Sequence, residues 1–249
     1  MFSLLKVIMV KILELFSGTG SVGKVADKFG FDIVSVDIDG RAMINISILD
    51  WDYKKDYKPG DFDIIWASPP CSTFSMLRRT WIGRKLKVHK GAICTEELLT
   101  ADMMRDGLPL LRKAEEIIEY FQPKFYCIEN PGGSKMKEFL KHRPVYDVDY
   151  CAYCDWGYKK WTKVWTNVEG FKPKRCSCVK DPTTGQKHSI QLGGKVNGTK
   201  LDDRYRVPPK LISELFNTMG YNEMKKLVID EDKNVVIDDI IEKVEEVSI

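Results

Sequence analysis

The sequence predicts an α/β fold built around a doubly wound, mostly parallel sheet. Between residues 10 and 130, apolar runs of strand length alternate with segments of helical apolar spacing, and strands alternating with helices are typical of parallel sheets. The residues best suited to chemistry follow the strand-like runs. In doubly wound sheets ligands bind beyond the carboxyl ends of the strands, so a functional site is expected at these turns.

Five strands and two helical segments are expected in this part of the chain. The strand-like runs cover residues 10–16, 31–37, 46–49, 62–67 and 124–128. A helix is expected over residues 22–29, closed by Gly30. A longer helical pattern covers residues 96–121, where Pro109 should kink or divide the helix. Beyond Val145 the pattern is mixed, with short aromatic strands, glycines and cysteines.

The chain divides into a core and three smaller parts. We expect the core in residues 1–150, a small irregular region in 151–200, a return to the core in 201–220 and an acidic tail in 221–249. The tail has a net charge of −5, and because the whole chain carries +3, the rest carries +8. A basic body is compatible with nucleic-acid binding. The tail is expected to pack as a strand and a short amphipathic helix, to bind a partner, or to be a solvated appendage.

Charge patterning and cysteine content narrow the class of protein. No apolar stretch reaches transmembrane length, since charged residues interrupt the run from Leu4 to Leu15. The start lacks the shape of a secretory signal, so the expected compartment is intracellular and the seven cysteines are expected to be reduced. We expect no membrane partner and assume a monomer.

Cys71 is the most informative single residue. It follows the apolar run Phe62–Trp66 and two prolines. Because proline restricts its own φ and favours an extended residue before it, the turn should present the thiol at the sheet edge. A free cysteine is more often a buried structural residue. However, the segment from Cys71 to Thr95 contains several cations and no acid, and nearby positive charge favours the nucleophilic thiolate.

A glycine-rich loop follows the first predicted strand. Phe16-Ser17-Gly18-Thr19-Gly20 would let the backbone approach a ligand closely. Asp37 ends the next strand, where a carboxylate can accept hydrogen bonds from ribose hydroxyls. With Gly23 the letters of a Gly-x-Gly-x-x-Gly pattern are present. The spacing fits a dinucleotide or an adenosine-bearing methyl donor, and the methyl donor explains the remaining residues better.

These segments, taken in order, resemble the motifs of the DNA (cytosine-5)-methyltransferases. The matching segments are Glu14–Ser21, Val36-Asp37, Pro69–Ser75, Ile128–Asn130 and Tyr205–Pro209. The Pro-Cys and Glu-Asn elements, in this order and at strand ends, are the most specific of them. The resemblance implies a Rossmann-like methyltransferase sheet in a compact family member with a reduced target-recognition region.

The resemblance also implies a reaction. The enzyme would transfer a methyl group from S-adenosylmethionine to carbon 5 of cytosine in DNA. Cys71 would add to carbon 6 of the ring and make carbon 5 nucleophilic, while Glu129 would protonate ring nitrogen 3. A cytosine in a duplex must be flipped out before its ring can be attacked. A helix-capping carboxylate is the alternative role for Glu129.

For the cofactor, the resemblance implies a set of contacts in the first part of the chain. Phe16 would pack on the adenine, Ile38 would cover it, and Asp50 would accept a hydrogen bond from the adenine amino group. Asp37 would hold the ribose. The remaining members of the cofactor-binding set are Ser17, Gly18, Thr19, Gly20, Ser21 and Val22 around the methionine part, together with Trp51 and Pro69.

Three further segments concern the target base and the DNA. The basic segment Arg78–Lys90 matches the family's mobile active-site loop, with a merely solvated loop as the alternative. In place of the family's Gln-x-Arg-x-Arg element, Lys160, Thr162 or Lys163 could help to hold the base. Residues 167–200 are too few for a separate recognition domain. We therefore expect a short or relaxed sequence preference.

Four cysteines in the irregular region have a spacing that suits a metal. Cys151-x-x-Cys154 and Cys176-x-Cys178 could form a four-cysteine zinc knuckle, with His188 as a spare ligand. Because the one-residue spacing of the second pair is tight, we expect metal-free thiols.

Other functions are compatible with the sequence. The chain could be a catalytically silent module that binds DNA or the methyl donor, since the target-base element is altered. The substrate could be RNA, and the donor could carry a different sulfonium substituent. Ser68-Pro69-Pro70 is similar to a motif of methyltransferases that act on exocyclic amino groups, but these need an aromatic residue where Cys71 stands.

Overall fold

The computed structural model describes residues 9–192 and 198–222. Its strands are β1 (Lys11–Leu15), β2 (Asp32–Asp37), β3 (Ile44–Asn45), β4 (Ile64–Ala67), β5 (Phe125–Pro131), β6 (Val145–Asp149) and β7 (Trp161–Thr166). Its α-helices are α1 (Ser21–Ala26), α2 (Tyr53–Asp56), α3 (Glu96–Asp102), α4 (Leu108–Phe121), α5 (Leu201–Tyr205) and α6 (Pro209–Thr218). The strand and helix predicted for the acidic tail lie outside the described residues.

One sheet contains all seven of these strands, in the order β3-β2-β1-β4-β5-β7-β6. Strands β1 to β5 pair in parallel, whereas β7 runs antiparallel to both β5 and β6. The strand order reverses between β1 and β4, and doubly wound sheets bind ligands at the carboxyl side of such a reversal. The predicted doubly wound α/β sheet is confirmed.

Helices cover both faces of the sheet. On one face α1 and α6 bury Val22, Leu211 and Phe216 against residues of the central strands. On the other face α4 buries Leu111 and Ile117. Because both faces are covered, β4 is buried at every position, and the sheet can hold its terminal turns in fixed positions. None of the helices in the described ranges is long and apolar enough to cross a membrane.

Two predicted elements differ from the structure. The third strand is β3 and not residues 46–49, which leave the sheet because Ile48 turns into the core instead. The helical pattern over 96–121 is divided, as predicted, but a π-helical turn between α3 and α4 divides it and not Pro109. Pro109 lies in the first turn of α4, where the lack of an N–H is tolerated.

Strand β5 extends beyond the apolar run that predicts it. It continues to Pro131 because β7 pairs alongside it, with Glu129 opposite Val164. The prediction that the strand ends at Glu129-Asn130-Pro131 is confirmed, since Pro131 is the last residue of β5. The parallel pairing of β5 with β4 ends earlier, at Ile128, so Glu129 is the first residue of β5 beyond the carboxyl end of β4.

The predicted boundary at residue 150 falls inside the sheet. β7 belongs to the segment 151–200, yet it lies between β5 and β6. This segment therefore contributes a strand to the core, and its irregular part begins only after Thr166. Residues 172–190 contain neither helix nor strand.

Candidate active site

The loop after β1 depends on glycine. Phe16, Gly18 and Gly20 have φ values of 59°, 48° and 65°, a region that glycine adopts readily and side-chain-bearing residues seldom adopt. The N–H groups of Phe16 and Ser17 both donate to the carbonyl oxygen of Val36, at 2.9 and 3.3 Å. The loop is thus tied to the end of β2 and leads directly into α1.

Asp37 organises this loop through its carboxylate. Its Oδ2 accepts a hydrogen bond from Gly18 N at 2.8 Å, and its Oδ1 accepts from Ile38 N at 2.6 Å and Asp39 N at 3.1 Å. Asp37, which is predicted to bind the ribose, therefore contacts the predicted glycine loop, although Asp37 ends β2 and the loop follows β1.

Glu14 supports the loop and was not predicted as a site residue. It is 3% exposed and accepts hydrogen bonds from Val22 N at 3.2 Å and Gly23 N at 3.1 Å. Burial raises the pKa of Glu14 to about 7, and the nearby Asp37 adds to this rise, while the two hydrogen bonds oppose it. An acid inside the apolar run of β1 is the sequence signal that could have identified this residue.

The residues predicted for an adenine differ in their exposure. Ile38 is 75% exposed, Asp50 is exposed and Phe16 is half-buried. Trp51 is buried, with its ring packed against Tyr53 at a centroid distance of 5.7 Å. The ring of Trp51 is therefore part of the aromatic core. In this it differs from Ile38 and Asp50, the exposed members of the predicted cofactor-binding residues.

The turn after β4 is held from both neighbouring strands. Ser68 N donates to the carbonyl oxygen of Leu15 at 3.1 Å, and Asn130 Nδ2 donates to the carbonyl oxygen of Pro69 at 2.7 Å. Pro69 and Asn130 are buried, and Cys71 is half-buried where the turn ends. The thiol is therefore presented at the carboxyl edge of the sheet, as its position after two prolines predicts.

Glu129 is held by two side chains that sequence analysis did not connect to it. It is 5% exposed, and Tyr150 donates its hydroxyl to Glu129 Oε1 at 2.8 Å. Lys160 Nζ lies 3.5 Å from the same oxygen and donates to the carbonyl oxygen of Arg204 at 3.0 Å. Burial and Glu129 raise the pKa of Tyr150 well above its usual value, so this hydroxyl stays protonated and remains a donor.

The thiol of Cys71 lies within the electrostatic reach of Glu129. Burial raises the pKa of Cys71 above its usual value, Glu129 raises it further, and Lys160 and Arg204 lower it. The prediction that cations of the segment Arg78–Lys90 favour the thiolate is therefore corrected. The main cations acting on the sulfur are Lys160, which directly precedes β7, and Arg204 of α5, and both are distant from Cys71 in sequence.

The basic segment Arg78–Lys90 is anchored near both of its ends by one carboxylate, that of Asp102. Arg78 Nη2 donates to Asp102 Oδ2 at 2.5 Å, and His89 Nε2 lies 3.0 Å from the same oxygen. Arg78 and Asp102 are both buried, so Arg78 is not available at the surface. The exposed cations of the segment are Arg79, Arg84, Lys85, Lys87 and Lys90, and its exposed apolar side chains are Trp81, Ile82 and Val88.

A pocket of about 400 Å³ adjoins the glycine loop. It is lined by Thr19, Ser21, Lys24, Arg41, Trp156, Asp202, Asp203, Arg206, Val207 and Pro209. Val207 N donates to Ser21 Oγ at 3.1 Å, and the Arg206 guanidinium stacks on Trp156 at 3.7 Å from the ring centroid. The segment Tyr205–Pro209 is thus brought to the predicted cofactor side of the sheet.

Comparison with known proteins identifies the family. The protein named "Probable DNA (cytosine-5)-methyltransferase" of Frog virus 3 (isolate Goorha) is 46% identical over 220 residues, which cover 84% of this chain and 99% of the relative. The chain belongs to the DNA (cytosine-5)-methyltransferase family. The resemblance inferred from the ordered motifs is thereby confirmed. No protein-family model matches the chain.

Solved structures match this family member only in part. A DNA modification methyltransferase candidate encoded within an Escherichia coli prophage superposes with a TM-score of 0.41 and 17% identity, covering 66% of this chain and 51% of that chain. A Spodoptera frugiperda DNMT2 mutant superposes with a TM-score of 0.39 and 18% identity, covering 68% and 53%. The match thus spans about half the length of each of these two solved proteins. The fold of this chain is assigned from its own strand order.

Three residues were candidates for the altered target-base element of this methyltransferase. Lys160 reaches Glu129 and acts on Cys71. Lys163 instead binds Asp147 at 2.9 Å, and Thr162 is fully buried. Of the three, Lys160 is the residue that the fold joins to the predicted catalytic pair.

Proposed function

We propose that this chain transfers a methyl group from S-adenosylmethionine to carbon 5 of cytosine in DNA. The observation that carries the proposal is the placement of Cys71 in the turn after β4 and of Glu129 on the adjacent strand β5, where the carboxyl group raises the pKa of the thiol. Strand β1, which bears the glycine loop, lies on the other side of β4. A nucleophilic sulfur and a proton-donating carboxyl group are what this reaction needs on one pyrimidine ring. The name of the Frog virus 3 relative supports the same reaction.

The first part of the chain fits S-adenosylmethionine, which supplies an electrophilic methyl group on a sulfonium. Asp37 would accept hydrogen bonds from the ribose hydroxyls, and the exposed Ile38 would cover the adenine. The pocket of about 400 Å³ beside Ser21 has room for the methionine part, and its cationic residues Lys24 and Arg206 suit a carboxylate.

Cys71 is the proposed nucleophile. Its thiolate would add to carbon 6 of cytosine, and the ring electrons would move towards carbon 5. Carbon 5 would then take the methyl group from the sulfonium sulfur, which keeps the electron pair of the broken bond, and S-adenosylhomocysteine would leave. Lys160 and Arg204 support the addition of the thiolate because they lower the pKa of Cys71, against burial and Glu129, which raise it. A base or water then removes the proton from carbon 5, the carbon–sulfur bond breaks, and the thiolate is released.

Glu129 is the proposed acid. A proton delivered to ring nitrogen 3 withdraws electrons from carbon 6 and makes the addition of sulfur easier. Tyr150 and Lys160 both approach Oε1, at 2.8 and 3.5 Å. We therefore assign the proton to Oε2 and the positioning of the carboxyl group to Tyr150 and Lys160.

The surface around this edge fits DNA. The exposed cations of Arg78–Lys90 would contact phosphates, and the exposed Trp81 and Ile82 would occupy the space that a flipped cytosine leaves. The ion pair of Arg78 with Asp102 would hold one end of this segment in place. The irregular part of residues 167–200 would contact only a few base edges, which is why we propose a short or relaxed target sequence.

The identity of the modified base tests this proposal. The purified protein is incubated with mixed-sequence DNA, or with RNA in parallel, and with S-adenosylmethionine that carries an isotope-labelled methyl group. The products are digested to nucleosides and weighed by mass spectrometry. We expect label in 5-methyldeoxycytidine. Label on an exocyclic amino group, label confined to RNA, or no label in either nucleic acid would contradict the proposal.

An Asp37→Asn variant should bind S-adenosylhomocysteine about 10- to 100-fold more weakly, since a hydrogen bond to a charged group contributes about 1.5–3 kcal/mol. The amide offers one acceptor oxygen where the carboxylate offers two, and its NH2 group would face either the Gly18 N–H or the Ile38 N–H, so fewer acceptor positions remain for the ribose. Titration calorimetry measures the dissociation constant. Asp32→Asn is the matched control, because Asp32 lies at the opposite end of β2 and is exposed. Equal affinity for the Asp37 variant and the control would contradict the assignment.

A Lys160→Met variant should shift the pH dependence of methylation to higher pH. Lys160 lowers the pKa of Cys71, so its removal raises that pKa further and leaves less thiolate at neutral pH. The rate at neutral pH should fall, and part of the loss should be recovered in alkaline buffer. The rate at which iodoacetamide alkylates Cys71, measured at several pH values, reports the same shift in the pKa of Cys71 independently of methyl transfer. Lys163→Met, which removes a partner of Asp147, should leave both profiles in place, and an unshifted Lys160→Met profile would contradict the assignment.

A further inference from the structure

Four metal-ligating side chains, outside the catalytic pair, meet where the irregular part of the chain approaches the turn after β6. They are Cys151, Cys176, Cys178 and His188. We propose that they form a structural zinc site that fastens the segment after β7 to the body of the protein. This inference does not depend on the proposed reaction.

The ligand atoms lie close to the spacing that a tetrahedral site requires. All four lie within 4.8 Å of one another, and Cys176 Sγ lies 3.5 Å from His188 Nε2. With zinc–sulfur bonds of about 2.3 Å and zinc–nitrogen bonds of about 2.0–2.1 Å, a tetrahedral site has edges of about 3.6 Å between sulfur and nitrogen and about 3.8 Å between sulfurs. The cluster therefore needs only small side-chain movements to hold the ion.

The donor set favours zinc. Three thiolates and one imidazole with no open position are typical of structural zinc sites, and binding would displace the protons of the three thiols. The fourth cysteine expected from the sequence is excluded, because Cys154 Sγ donates to the carbonyl oxygen of Tyr150 at 3.1 Å and is not in the cluster. His188 takes its place, so the site consists of three cysteines and one histidine and not of the four cysteines that the spacing could also have supplied.

The segment 172–192 has no apolar core of its own. It contains no helix and no strand, and every residue in it is exposed except Cys176, Cys178 and His188. Its shielded residues are thus the three that it contributes to the cluster. A segment that buries so little apolar surface needs another source of stability, and a metal bound by its shielded side chains supplies one.

Asp149 holds the backbone of Cys176 in place. Asp149 Oδ2 accepts a hydrogen bond from Cys176 N at 3.0 Å and from Arg175 Nε at 2.8 Å, and Lys159 Nζ lies 3.7 Å from Asp149 Oδ1. Such outer contacts orient metal ligands. The cationic Arg175 and Lys159 also offset the net negative charge that three thiolates and one Zn²⁺ carry together.

The site has a structural consequence for the proposed active site. Cys151 directly follows Tyr150, whose hydroxyl holds Glu129. The metal would therefore fix the segment 172–192 to the same part of the chain that positions the carboxyl group. The short distances between the four ligand atoms favour the zinc site over the metal-free thiols expected from the tight Cys-x-Cys spacing alone.

Metal analysis of the full chain tests the inference. Protein purified under reducing conditions without chelator should contain about one zinc ion per chain by mass spectrometry of the metal. Cys176→Ser, Cys178→Ser and His188→Ala should each retain less than about a fifth of that zinc. Cys154→Ser is the matched control and should retain all of it. Absence of zinc from the wild-type protein, or equal loss from Cys154→Ser, would overturn the proposal.

Two further measurements guard against variants that fail to fold. Wild-type protein reconstituted with Co²⁺ should show the absorption of tetrahedral cobalt with thiolate-to-cobalt charge transfer, and Cys154→Ser should show the same spectrum. Trypsin cleavage after Lys180 and Lys187, both exposed, should be slow with zinc bound and fast after chelation. An octahedral cobalt spectrum, or cleavage that is insensitive to chelator, would overturn the proposal.

Discussion

A Cys71→Ser variant should lose methyl transfer by at least about 10⁴-fold and should bind S-adenosylhomocysteine as the unmodified protein does. Serine preserves the size of the side chain, but its hydroxyl is a much weaker nucleophile than a thiolate. Cofactor affinity should not change, because the glycine loop is held by Asp37 and Val36 and not by the sulfur. Initial rates with labelled methyl donor and titration calorimetry measure the two quantities.

Trapping experiments locate the nucleophile directly. On DNA that contains 5-fluorocytosine, the group at carbon 5 cannot leave as a proton, so the unmodified protein should remain covalently attached through Cys71. Cys71→Ser should form no adduct. Cys127→Ser is the matched control, since Cys127 is fully buried on β5 with its thiol donating to Thr166 Oγ1 at 3.6 Å. An adduct mapped to any other cysteine would contradict the proposed role.

The parallel strands of the sheet were predictable because each of the longer ones appears in the sequence as its own run of apolar residues. β4 is buried at every position, so it appears in the sequence as a continuous apolar run. β3 was misplaced because a strand of two residues is too short to produce such a run. The position of β7 could not be predicted, because pairing beside β5 is a contact between segments that are distant in sequence.

In the candidate site, too, the features set by adjacent residues were predictable, and those set by contacts between distant segments were not. The positions of Cys71 and Gly18 follow from covalent restrictions on proline and glycine, which act on adjacent residues. The partners of Glu129 do not, because Tyr150 and Lys160 reach it only through the folded sheet. Charge acts through space, so the cations nearest to Cys71 in the sequence were the wrong ones to consider, and Arg78 among them is paired with Asp102.

A Glu129→Gln variant should slow methylation by about 10²- to 10⁴-fold, the usual contribution of general acid catalysis. Glutamine has nearly the shape of glutamate, and its carbonyl oxygen can still accept the Tyr150 hydroxyl that now reaches Oε1 at 2.8 Å. The variant therefore keeps the positioning contact and loses the proton. The loss should appear in the single-turnover rate and in the rate of adduct formation with 5-fluorocytosine DNA, because protonation of nitrogen 3 precedes or accompanies the addition of sulfur.

A Tyr150→Phe variant distinguishes the proton that Glu129 donates from the hydrogen bond by which Tyr150 positions the carboxyl group. This variant removes the hydrogen bond but keeps the carboxyl group, so it should slow methylation by only about tenfold, the effect of one lost hydrogen bond of about 1.4 kcal/mol. Glu129→Gln removes the charge that Glu129 presents to Lys160, whereas Tyr150→Phe leaves that buried pair in place. Comparing the thermal unfolding of the two variants therefore shows whether the pair also stabilises the fold. If Glu129→Gln reached the rate of the unmodified protein while Tyr150→Phe did not, the carboxyl group would be a structural acceptor and the acid would have to come from elsewhere. If Glu129→Gln is the slower of the two and both remain folded, the proton on Glu129 accounts for the difference.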